Sequence, residues 1–225
     1  MIVDDFIAPE IYRELVRTFP ACPRNGGPTG YSYFWGDPLY DALIADNAAW
    51  RAVFEAAQSQ AFVDYCLRTF ASVFGKTGCT IDISKAAYVS YLETREDKQR
   101  PQIANPMHAP HELFVRADIL QRYLHYTRPR HLDFRRRVVS MLDYLCDADE
   151  NSMQGGDLVL HRRPGGWWPR RDVVVRPCHN LMAAFACHPY SHHSVSPVTA
   201  QSAPRNFLQI LVSSSVDAWP KPPKD

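Results

Sequence analysis

His131-Leu132-Asp133 sets an imidazole and a carboxylate two residues apart, and a second histidine pair, His192-His193, follows far downstream. Two imidazoles and one carboxylate can occupy one face of a ferrous ion, leaving its other coordination positions open for a co-substrate and dioxygen. Side chains at i and i+2 of an extended segment project to one side, so His131 and Asp133 can converge on a single ion. His192 and His193 would face opposite ways on a strand, so one of them at most joins the site. Arg205 lies close enough behind them for the chain to turn and return alongside. Its planar guanidinium can hold a carboxylate through two parallel hydrogen bonds, a geometry that lysine cannot reproduce.

Residues so far apart must be brought together by an enclosed fold. Short β-type segments dominate the second half of the chain: Ile81 to Leu92, Leu113 to Tyr126, Arg137 to Leu145, Asp157 to His161, Asp172 to Arg176, Leu181 to Cys187, His193 to Val198 and Asn206 to Ser213. Their number and turn punctuation predict two sheets folded over one another, a double-stranded β-helix or jelly roll, rather than parallel strands linked by helices. Upstream, apolar Ile11, Leu15 and Val16 form one stripe of a helix from Pro9 to Phe19. A longer helical pattern runs from Ala48 to Phe74 and breaks near Ser59-Gln60. The expected class is therefore mainly β with flanking helices (α+β). One domain over 1–225 is expected, with helical support in 1–80 and the jelly-roll core in 81–215. The charged run Glu93 to Pro101, extending through Pro110, reads as a mobile lid, and Gly165-Gly166-Trp167-Trp168-Pro169 as a second loop with a stacking surface. The tail from Trp219 is expected to be disordered at its end.

The stretch from His131 to Ser215 resembles the C-terminal half of the iron(II)- and 2-oxoglutarate-dependent dioxygenases, in particular their prolyl-hydroxylase-like branch. Several segments carry the resemblance in order: His131-Leu132-Asp133, the strand Arg137 to Leu145, Gly155-Gly156-Asp157-Leu158-Val159-Leu160, Pro177 to Phe185, His193-Ser194-Val195-Ser196-Pro197-Val198 and Arg205-Asn206-Phe207-Leu208. The resemblance implies His193 rather than His192 as the distal ligand. It thus implies Fe(II) on His131, Asp133 and His193, with 2-oxoglutarate and O2 as co-substrates and Arg205 on the distal carboxylate. The implied outcome is hydroxylation of an unactivated C–H bond, with release of succinate and CO2. Where the family frequently carries a small or hydroxyl residue two positions after the arginine, this chain has Phe207. Another hydroxyl must complete the carboxylate's hydrogen bonds, and Tyr123 and Tyr126 are the candidate donors. Rival readings are a cupin-type metalloenzyme that needs no oxo acid, which leaves Arg205 unexplained, and a non-catalytic jelly-roll binding module.

Composition bounds the remaining classes. With 46% hydrophobic and 22% charged residues the chain is globular in type, and a net charge of +1 gives no overall footprint for nucleic acid. Local clusters at Arg128/Arg130, Arg135-Arg136-Arg137, Arg162-Arg163 and Arg170-Arg171 leave room for an anionic small-molecule or carrier-attached substrate. No stretch approaches the roughly 18 apolar residues that a spanning helix needs. The six cysteines show no C-x-x-C pair, and the acidic start Met1 to Phe6 lacks an export-signal layout, so a cytoplasmic protein with reduced thiols is expected.

Overall fold

The computed structural model describes residues 1–25, 27–103, 109–162 and 171–222. The first part of the chain forms β1 (Ile2–Val3), α1 (Pro9–Arg17), β2 (Gly30–Tyr33), α2 (Pro38–Asp46), α3 (Ala48–Ala57), α4 (Gln60–Thr77), β3 (Ala87–Tyr88) and α5 (Arg95–Lys98). The second forms β4 (Glu112–Arg122), β5 (Arg128–His131), β6 (Arg137–Tyr144), β7 (Leu158–Leu160), β8 (Val173–Val175), β9 (Met182–Ala186), β10 (His193–Val195) and β11 (Arg205–Ser214). Local chemistry sets the helix ends. The Asn47 side chain accepts from the backbone N–H groups of Ala49 and Trp50 to start α3, and Ser59 accepts from Phe62 to start α4. That second cap is the expected break near Ser59-Gln60. Gly78, at φ +75°, then closes α4 in the left-handed conformation.

Two sheets result. The larger runs β1-β9-β6-β11-β4-β2, with β3 also alongside β4, and the smaller runs β5-β10-β7-β8. The long β4 shows how the sequence sorts its faces. Val115, Ala117 and Ile119 point to the helical side, where they join Trp50, Phe70 and Trp219 in one apolar cluster. Leu120 faces the smaller sheet and joins Leu142, Leu158, Phe185 and Phe207 between the layers. This is the double-stranded β-helix expected from the strand pattern, with helices covering its outer face.

Three expectations need correction. Ile81 to Leu92 is not one strand: it holds a 3-10 turn at Ile83–Lys85 and the two-residue β3, which runs parallel to β4. Residues 1–80 also supply more than helices, because β1 pairs with β9 and β2 with β4 as extra strands of the larger sheet. The charged segment from Glu93 is not a loose lid. Glu93 is fully buried and paired with Arg136 and Arg137, while Lys98 pairs with Asp118 and Arg95 with Asp37. Charges that look solvated along the sequence are here neutralised by partners that the tertiary fold brings alongside, and such pairs persist in an interior only when closely matched. Trp219 is likewise buried, its indole N–H donating to the Arg137 carbonyl at 2.6 Å. Trp167, Trp168 and residues 104–108 and 223–225 lie outside the described residues.

Candidate metal centre

Hydrogen bonding between β5 and β10 sets His193 directly opposite His131 across an antiparallel pair. Cross-strand partners bring side chains on one face within contact distance, and the two rings lie 4.2 Å apart between centroids. Asp133 follows β5 by two residues and reaches back, its Oδ1 3.9 Å from His193 Nε2. One ligand atom from each of His131, Asp133 and His193 can be chosen so that all lie within 4.8 Å of one another. The sequence-predicted triad is therefore assembled at one point.

Its ring nitrogens are already oriented. His131 Nδ1 faces the Pro129 carbonyl at 2.8 Å and His193 Nδ1 the Ser191 carbonyl at 3.1 Å. A carbonyl can only accept, so each Nδ1 carries the proton and each Nε2 is the lone-pair nitrogen a metal would need; at His131 that nitrogen accepts from Arg128 Nε at 3.5 Å, a long contact that a metal would displace. Burial, and then the nearby His193, push the His131 pKa down, which favours the neutral ligand form. The Cys187 thiol donates to Asp133 Oδ2 at 3.5 Å, and the Phe185 ring packs against His193 at 4.6 Å. His161 belongs to the surroundings: Asp172 holds its Nδ1 and Ser194 Oγ its Nε2. His179 lies apart, between Tyr12 and Glu150.

The triad opens into a cavity of about 570 Å³ that Arg205 also lines. The Arg205 side chain is wholly buried. Its Nε donates to the Gly156 carbonyl at 2.9 Å and its Nη2 to the Tyr144 hydroxyl at 3.1 Å, while Nη1 has no hydrogen-bond partner among the described residues. A buried guanidinium with an idle donor is costly unless an anion completes it, so the arrangement fits a carboxylate ligand. The double glycine before β7 makes the room. Gly155 and Gly156 have φ of +76° and +78°, and a Cβ on Gly155 would lie 1.8 Å from the Pro197 carbonyl oxygen.

Of the two candidate tyrosines, Tyr126 lines the cavity. Tyr123 is turned elsewhere, donating to Gln121 Oε1 at 2.7 Å with its ring 4.7 Å from Tyr31. The hydroxyl that reaches Arg205 belongs to Tyr144, which sequence reading did not single out although its strand was expected. Alternation along β6 puts it on the inner face with Leu142, but only the pairing of Tyr144 with Phe207 on β11 reveals its neighbour. Arg122, which lines the same cavity opposite Arg205 on β4, was not singled out for the same reason.

Residues 119–211 match the family model described as the 2OG-Fe(II) oxygenase superfamily. No curated protein matches the sequence. Among solved structures, the fold is similar to a Pseudomonas putida prolyl-4-hydroxylase, at 16% identity over 95% of this chain and 91% of that one, with a TM-score of 0.53. It is also similar to a Trichoplax adhaerens prolyl hydroxylase solved with a hypoxia inducible factor peptide fragment, at 15% identity over 95% and 83% of the two chains and a TM-score of 0.51. At these identities the structural likeness concerns the fold alone. No described helix is long and apolar enough to cross a membrane.

Proposed function

We propose that this chain, whose residues 119–211 match the 2OG-Fe(II) oxygenase superfamily model, is an enzyme that hydroxylates an unactivated C–H bond of an anionic small-molecule or carrier- or peptide-attached substrate. The observation that carries the reading is one cavity lined by both the two-histidine, one-carboxylate set and the buried, incompletely bonded Arg205. His131, Asp133 and His193 would hold Fe(II), and Arg205 with the Tyr144 hydroxyl would hold the distal carboxylate of 2-oxoglutarate. With these bound and O2 supplied, one oxygen atom goes into the substrate C–H bond and the other into succinate, as 2-oxoglutarate loses CO2.

The chain's own residues do the positioning. Carbonyls at Pro129 and Ser191 fix the imidazole tautomers, and the Cys187 thiol steadies the carboxylate. Leu120, Leu142, Leu158, Val195 and Phe207 give the cavity apolar walls between the charged groups, which strengthens each electrostatic contact inside. Further cationic side chains line it: Arg95, Lys98 and Arg137 are paired with Asp37, Asp118 and Glu93, which leaves Arg122 and Arg128 without an ion pair among the described residues and Asp133 as the one lining carboxylate. This imbalance supports an anionic substrate. A cupin-type reading leaves the Arg205 arrangement without a purpose.

The test is a substrate screen scored by succinate release with Fe(II) and 2-oxoglutarate, run beside Asp133→Ala. The native protein is expected to release succinate and the variant to release none. Full succinate production by the variant would refute the ligand assignment.

A further inference from the structure

Arg205 does not stand alone. In the β4–β11 ladder its directly opposed partner is Arg122, on a neighbouring strand about 4.8 Å away. Like charges placed directly opposite destabilise a strand pair unless something compensates them. Both side chains line the same cavity, and the Phe207 ring serves both, with the Arg205 guanidinium 4.4 Å and the Arg122 guanidinium 5.8 Å from its centroid. The Tyr126 ring stacks against Arg122 at 5.1 Å.

Arg122 is only partly satisfied. Its Nη1 donates to the carbonyls of Tyr31 and Gln121 and to Ser32 Oγ, but its buried Nε has no hydrogen-bond partner among the described residues. Arg205 Nη1 is idle in the same way. Burial works against the charge on Arg122, Tyr126 offsets part of that, and the proximity of Arg205 adds to the cost. The one carboxylate on the described cavity wall, Asp133, belongs to the candidate metal triad. Two cations, each with a buried idle donor, thus line one cavity whose described wall offers them no counter-ion of their own.

We propose that Arg122 and Arg205 form a paired clamp on a single carboxylate, making Arg122 a second residue that binds the distal end of the oxo-acid co-substrate. The inference rests on the functional reading above and deepens it. It also accounts for Phe207: where the sequence lacks a hydroxyl two residues after Arg205, the donors come instead from Tyr144 and Arg122 on the two strands flanking β11. An apolar ring in contact with both guanidinium groups then limits the water that could screen them. The consequence is selectivity, since a clamp of two cations discriminates strongly against an oxo acid whose far end is uncharged.

The experiment is calorimetric titration of the full chain, loaded with Mn(II) in place of iron, with 2-oxoglutarate and with 2-oxopentanoate, which has a methyl group in place of the distal carboxylate. Arg122→Gln, Arg122→Lys and Arg205→Gln are compared with the native protein, with thermal unfolding to verify folding. Arg122→Gln is expected to weaken 2-oxoglutarate binding by about 10- to 100-fold, leaving 2-oxopentanoate within about twofold, with the lysine variant intermediate. Unchanged 2-oxoglutarate affinity in Arg122→Gln, alongside a loss in Arg205→Gln, would overturn the clamp while leaving the functional reading intact. Equal weakening for both acids would also overturn it, by showing that Arg122 merely secures β2. A native protein that binds no 2-oxoglutarate would remove the functional reading, and the clamp with it.

Discussion

Asp143 offers a sharp physical test of the fold. It lies on β6 between the backbones of Leu208 and Met182, is fully buried, and has no hydrogen-bond partner for either carboxylate oxygen among the described residues. Burial pushes its pKa up to about 8, so the group is neutral in the folded protein at pH 7. In the unfolded chain it titrates near the ordinary value of about 4. Below pH 4 both states are protonated and Asp143 adds no pH-dependent cost. As pH rises from 4 toward 8 the unfolded state loses its proton and the folded state does not, so stability falls by about 1.4 kcal/mol per pH unit, levelling off above pH 8. Between pH 5 and pH 8 the loss amounts to about 3.5 kcal/mol. Asp143→Asn cannot ionise and escapes this loss, while every other carboxylate titrates alike in the two proteins. At roughly 2–4 °C per kcal/mol for a chain of this size, the difference in Tm between variant and native protein should grow by roughly 7–14 °C in the variant's favour from pH 5 to pH 8. Differential scanning fluorimetry of metal-free protein at the two pH values measures it. A Tm difference that stays the same at both would mean that Asp143 has a charged or solvent partner and that the reasoning from burial is wrong.

Cys187→Ala removes the thiol that donates to Asp133 and should weaken Mn(II) binding by about tenfold or less, because sulfur is a weak donor; Cys187→Ser should restore it. Equal affinity in all three proteins, measured by calorimetry, would count against a positioning role. Gly155→Ala places a Cβ against the Pro197 carbonyl at positive φ and should cost about 2–4 kcal/mol in urea unfolding. A neutral result there would contradict the tight turn before β7.

The reach of the sequence follows the range of each interaction. Features encoded locally were legible: the break near Ser59-Gln60 between α3 and α4, the strand character of the segment that forms β4, and the residue types of the triad. Pairings across strands were not, because nothing in the spacing of Tyr144 or Arg122 states which residue each will oppose on β11. The segment from Glu93 misled for a related reason. Alternating charges usually mark a solvated excursion, and only the tertiary fold supplies Arg136, Arg137 and Asp118 as partners. Helix α2 escaped notice because Pro38–Asp46 buries only Tyr40 and so carries no clear apolar stripe. β2, at four residues, is a strand because β4 offers it an edge, which no local pattern announces.

The central claim is that His131, Asp133 and His193 bind one ferrous ion together. Anaerobic equilibrium dialysis of Fe(II) against the native chain and each of His131→Ala, Asp133→Ala and His193→Ala tests it most directly. One iron per native chain is expected, with a loss of affinity of about 100-fold or more in every variant. A folded variant at any of the three positions that still bound iron like the native protein would contradict it.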